Sequence, residues 1–241
     1  MRVFMMTRMR CPSALVLALC CALLAGCSTP RGSKSSQFDP SQLGKSDVDR
    51  MSDVHRAQLD ASLRVLAEKL YKRNPREWKN AGHPSLEAAV ARIFAANNYR
   101  LAELGERRGT DAIVLGLRED YTGDRVAAFV AGVGSMLHMA FNEKRDFYLY
   151  DSIDPQQLYN AARNLEIAAW KLANSRDVNG QLLLLSNELY PVANLSFERE
   201  FGRMIGNLDL LSSIVADRTN RSVVRVVQNL ATAVFLPIGV H

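Results

Sequence analysis

The residues whose spacing comes nearest to a chemical motif are Gly132-Val133-Gly134-Ser135-Met136, with His138 close behind. A dinucleotide fingerprint would put a third glycine at position 137 and a strand ahead of the first. A serine nucleophile on a strand-to-helix turn would also need glycine there, two places after Ser135. Leu137 occupies that position, so neither chemistry is supported. His138 has no acidic residue one helical turn away to orient it as a base, and it reads as a core histidine. His55, His83 and His241 fall at no spacing that sets two metal ligands on one helix face, and His-Glu-x-x-His does not occur. Asp47, Asp49 and Asp53 lack the glycine turn and late glutamate of a calcium loop. They read as acids near a helix N-terminus, as do Glu198 and Glu200. No catalytic, cofactor-binding or metal-ligating residue is assigned, although carboxylates from distant parts of the chain could still converge for glycoside hydrolysis.

A different chemistry is carried by Cys27. Arg2, Arg8 and Arg10 precede it with no acid among them, and Ala14 to Leu24 is an uncharged apolar run. A spanning helix needs about 20 apolar residues; this run is shorter, and its basic-then-apolar order is that of a secretory signal peptide. It ends in Leu24-Ala25-Gly26-Cys27. Two small residues let a peptidase approach the backbone, and the cysteine thiolate is a nucleophile that can accept a lipid. The string resembles the lipobox of bacterial lipoprotein precursors. That resemblance implies a diacylglyceryl group on Cys27, cleavage after Gly26, and a fatty acyl chain such as palmitate on the new amine. Ser28 in place of aspartate implies sorting to the outer membrane, facing the periplasm, with the inner membrane as the alternative. Of the four cysteines, Cys11, Cys20 and Cys21 leave with the leader, so the mature chain is expected to rely on its core and not on disulfides.

Three of the 30 basic residues also leave with the leader and no acid does, which leaves 27 against 25 and a net charge of +2. A nearly neutral exported chain has no electrostatic footprint for nucleic acid, and that partner is excluded. Residues 28–46 are rich in Ser, Gly, Pro and Lys with little apolar content; such a segment reads as a flexible tether. The expected division is residues 1–26 leader, 27–46 acylated cysteine and tether, and 47–241 a folded domain.

The elements of that domain follow from the apolar period. Leu59, Leu63, Leu66 and Leu70 draw one helical stripe, which Asn74-Pro75 ends. Leu86, Val90, Ile93 and Phe94 form a second run after Pro84-Ser85, and residues 111–121 a third, although "AIVLGL" alone could be a strand. Val126 to Phe141 holds sixteen residues without a charge. It is too short for the usual membrane span and is expected to be a helix buried on all sides, with Gly132 and Gly134 admitting neighbouring backbones. Asp154-Pro155-Gln156-Gln157 is a helix start, with Asp as N-cap and Pro in the first turn. It leads into Leu158, Ala162, Leu165, Ala169 and Leu172, and Asn179-Gly180 is a turn. "FYLY" at 147–150 and "QLLLLSN" at 181–187 are candidates for a minor two-stranded pairing. A final helix pair is expected over 196–217 and 220–236. In its second member Val223, Val227, Leu230 and Val234 would face inward, opposite Arg221, Arg225, Gln228 and Thr232. The expected class is all-α, a single domain of about six helices.

Three longer strings, "DRVAAFVAGVGSMLHMAFN", "NAARNLEIAAWKLAN" and "NLSFEREFGRMIGNLDLL", are together similar to a group of uncharacterised proteobacterial lipoproteins with no assigned activity. The sequence therefore points to a membrane-anchored, non-catalytic helical module that docks on an envelope protein. The alternatives are an envelope hydrolase built from dispersed carboxylates or His138, and a lipid-handling protein with an apolar cavity. No cofactor is implied.

Overall fold

The computed structural model describes residues 47–144 and 153–239. Cys27, the tether, "FYLY" and His241 lie outside them. The fold is all-α: seven α-helices and two short 3-10 turns among the described residues.

Helix α1 (Asp47–Arg73) carries the leucine stripe, and Leu59, Leu63, Leu66 and Leu70 are all buried. Its end is set by Asn74, whose main-chain N–H and side-chain Nδ2 both donate to Leu70 O at 2.8 Å. Proline then opens α2 (Pro75–Asn80), where its missing N–H has no cost. Helix α3 (Leu86–Ala95) is capped by Ser85, which accepts from Ala88 N at 3.1 Å. "AIVLGL" is helical up to Gly116, in α4 (Gly109–Gly116), which ends before Leu117, earlier than the spacing suggests.

Helix α5 (Arg125–Ala140) is the centre of the domain: every residue from Val126 to His138 is buried, as is Ala140. It packs against α1, α3 and α4, and against α6 (Pro155–Asn174). Helix α7 (Ser196–Thr219) lies along both α1 and α6. No helix among the described residues is long and apolar enough to cross a membrane. The uncharged run is a core element, as its length and setting predicted.

Two expectations are corrected. Residues 181–187 form no sheet among the described residues: Leu182 makes an isolated bridge with Arg176, and Glu188 another with Asn194. The second correction is larger. Residues 220–236 are not a helix. Asn220 adopts left-handed geometry (φ 50°) and ends α7, and the chain continues without helix through residue 239 apart from a turn near Thr232. The valine stripe drawn there does not exist; Val227 is 99% exposed and Val234 75%. The physical reason lies in α6, whose side chains supply the hydrogen bonds that a helix would have made internally.

Candidate functional site

The Gly-x-Gly spacing of α5 has a packing explanation. A Cβ on Gly132 would stand 2.6 Å from Ile113 N, in the backbone of α4. On Gly134 it would stand 2.5 Å from the Tyr99 ring. Two neighbours therefore approach the helix more closely than any larger residue would allow. Ser135 is committed to the same contact: its hydroxyl donates to Ala131 O at 2.7 Å and accepts from Gly109 N at 2.8 Å. A hydroxyl bonded on both sides to main chain in the core is a structural brace.

His138, one turn on, is 5% exposed and borders a cleft of about 340 Å³ between α1, α3 and α5. Arg56, Asp60, Arg64, Asn98 and Tyr99 are its other polar lining residues, with Phe94 and Phe141 among the apolar ones. Among the described residues Asp60 is the single carboxylate of that lining. It accepts from Tyr99 Oη at 2.7 Å and faces Arg56 at 3.6 Å. The Arg64 guanidinium lies 4.2 Å from the Phe94 ring centroid, a cation–π distance.

Two buried acids, Asp124 and Glu77, serve the start of α5. Asp124 accepts from Ala127 N at 2.8 Å and from Tyr71 Oη at 2.7 Å. Glu77 accepts from Arg125 N at 3.0 Å. Both satisfy main-chain donors that the first turn of α5 leaves open. Burial raises the carboxyl of Asp124 above its ordinary 3.8, outweighing the Ala127 and Tyr71 hydrogen bonds that act in the opposite direction. Burial, and then the charge of Asp124, likewise push the Tyr71 phenol up. The consequence for stability has a definite sign. A carboxyl whose folded pKa is raised contributes fully below its unfolded value, and that contribution is lost as pH rises through the folded pKa. The wild type should therefore lose stability relative to Asp124→Asn as pH is raised from below 3.8. Denaturant midpoints of both proteins across the acid range check this, and a constant gap would contradict it.

The most distinctive arrangement is on α6. Residues 222–239 run beside this helix as a non-helical strap broken by the turn near Thr232, and α6 side chains hold the strap by its main chain. Gln156 Oε1 accepts from Val224 N at 2.8 Å while its Nε2 donates to Val224 O at 3.2 Å. Tyr159 Oη accepts from Val226 N at 2.9 Å and donates to Val226 O at 3.1 Å. Asn164 binds Leu236 in the same two-sided way, at 2.7 and 2.9 Å, and Gln157 binds Gly239 at 3.2 Å on both sides. Asn160 Nδ2 donates to Pro237 O at 2.9 Å. A carboxamide presents one donor and one acceptor side by side, so it can replace a neighbouring strand's peptide group. Asn74 does the same for the segment after α6, pairing with both Leu185 N and Leu185 O. This is how the fold accommodates non-helical chain with no sheet among the described residues, since peptide groups shielded from water need partners.

No family model matches the chain, and no curated protein or solved structure does either.

The remaining sequence candidates are scattered. His55 hydrogen-bonds Asn207 through Nδ1 at 2.5 Å, between α1 and α7. Glu198 accepts from Asn187 Nδ2 at 2.7 Å. Glu200 is buried and lies 3.4 Å from Lys69 and 3.3 Å from Arg203, which ties α7 to α1 beyond any effect on its own helix end. Asp47, Asp49 and Asp53 fall in the first two turns of α1. Among the described residues no three His, Cys, Asp or Glu side chains come together to hold a metal ion. Reading motifs overlooked the carboxamides of α6, whose signal is the recurrence of Gln156, Asn160 and Asn164 at steps of four on a helix otherwise patterned for burial.

Proposed function

We propose that the chain is an envelope lipoprotein, anchored through acyl chains on Cys27 to the periplasmic face of the outer membrane, whose helical body is a non-catalytic docking module. The observation that carries this reading is Leu24-Ala25-Gly26-Cys27 at the end of a basic-then-apolar leader. More than one acyl chain, each contributing about 0.8 kcal/mol per buried methylene, gives durable attachment. The docking role is supported by the commitments of the groups that would otherwise do chemistry. Ser135 is bonded on both sides to main chain, and the carboxylate that lines the cleft beside His138 among the described residues, Asp60, is held by Tyr99 and Arg56.

The test of anchorage is Cys27→Ser. The variant should accumulate as uncleaved precursor in the inner membrane and incorporate no labelled palmitate. Normal processing with unchanged fractionation would remove the lipoprotein reading.

A further inference from the structure

The strap has two edges, and α6 occupies only one. Val224 and Val226 turn both N–H and C=O toward Gln156 and Tyr159. In extended chain the main-chain groups of successive residues point to opposite edges, so those of Val223, Arg225 and Val227 point away from α6. They make no hydrogen bond among the described residues. A space of about 740 Å³ separates the start of the strap from the two helices, bordered by Val223 and Arg225, by Tyr159 and Arg163 on α6 and by Asp209 and Asp217 on α7. The stretch Ser222 to Gln228 is rich in valine, which suits a strand, and Val224 is 70% exposed. An open, valine-rich edge is a template for an added strand.

Charge selects the occupant. Of the charges that border the space, Arg163 is paired with Asp209 at 2.7 Å, and Arg221 and Arg225 outnumber the remaining acid, Asp217; neither of these two arginines forms an ion pair among the described residues. An antiparallel pairing of two copies about Arg225 would set arginine opposite arginine, an unfavourable cross-strand contact. A strand with an acid at that place would be favoured.

We propose that residues 222–228 are an edge strand, held ready by α6, for addition of an extended segment of a partner protein that places an acidic residue against Arg225 between β-branched neighbours. This rests on the docking half of the function proposed above and is independent of the anchor, so the Cys27→Ser result and the one below can fail separately. The probe is a short synthetic peptide alternating valine and threonine around a central glutamate, added to the full chain in detergent, with amide hydrogen exchange read residue by residue. Exchange at Val223, Arg225 and Val227 should slow by on the order of tenfold, while Val224 and Val226, already bonded to α6, change little. Arg225→Glu, an exposed substitution, should abolish the slowing with this peptide and restore it with a peptide carrying lysine in place of glutamate. The proposal is overturned by unchanged exchange at saturating peptide or by equal response to both peptides. It is also overturned if the same amides are protected by self-association without peptide, or by phosphatidylglycerol vesicles and not by peptide.

Discussion

Gly132→Leu should lower the melting temperature of the protein more than any other substitution considered, without driving it to associate. At this position even a Cβ would meet the backbone nitrogen of Ile113 at 2.6 Å, Ile113 Cγ1 at 2.8 Å and Gly109 O at 2.9 Å. Two of those three atoms are main chain, so no rotamer change relieves the overlap, and α4 must move off α5. Overpacking in cores typically costs about 1–3 kcal/mol, and occasionally more. Displacing backbone at the most buried helix of the domain should reach the upper end. Gly132→Ala gives a graded comparison, since it introduces the Cβ alone. Thermal melts of the three proteins should rank glycine, alanine, leucine in falling order. The alternative role for the uncharged run, membrane insertion, makes the opposite prediction. It requires α5 to leave the core, unlipidated protein to float with liposomes, and leucine at position 132 to be tolerated. Flotation of the unlipidated wild type together with an unchanged melt would refute the core assignment.

The second large effect is expected at Asn164, which is fully buried and satisfies both polar groups of Leu236. Asn164→Leu keeps approximate volume and removes both hydrogen bonds. If the strap stays in place, the donor and acceptor of half-buried Leu236 lose their protein partners, at up to about 1–3 kcal/mol each where water cannot replace them. If it detaches, Phe235 and Ile238 lose their packing against the core. Either way a domain of this size should melt lower, by roughly 2–4 °C per kcal/mol. Amide exchange distinguishes the routes: detachment accelerates Leu236 and Gly239 together, and local loss accelerates Leu236 alone. Asn164→Asp should fall between, since it keeps the acceptor for Leu236 N and loses the donor to Leu236 O. A melt unchanged in both variants would mean that the strap contributes little to stability.

Those two positions also mark what could be read from the chain alone. The course of α1 was legible in four leucines because the period, the burial and the Asn74-Pro75 stop all lie within one local stretch. Asp154 was legible as a cap for the same reason, and its Oδ1 accepts from Gln156 N at 2.9 Å. The uncharged run was legible as core from its length, and its glycines as points of close approach. What approaches them, Ile113 of α4 and the Tyr99 ring, was not. The strap was misread because Val223, Val227, Leu230 and Val234 satisfy the helical period by accident. The groups that decide its conformation, Gln156, Tyr159 and Asn164, stand 67 to 72 residues earlier. No window on the C-terminal sequence contains them. Valine, unfavourable in helices because its branched Cβ loses χ1 freedom, was the one local hint against the helix.

Side-chain amides that grip a main chain invert the usual pattern of evolutionary drift. Loops and termini ordinarily vary while the helices beneath them keep their apolar faces. Here the strap presents peptide groups that every residue except proline supplies in full, so Val224, Val226 and Leu236 can change identity without loss of their bonds to α6. Gln156, Tyr159 and Asn164 cannot, because each needs a donor and an acceptor at one reach and height. Among homologues the variable member of this contact should be the strap, and the invariant one a row of polar residues on a helix that hydropathy alone would have left free to wander.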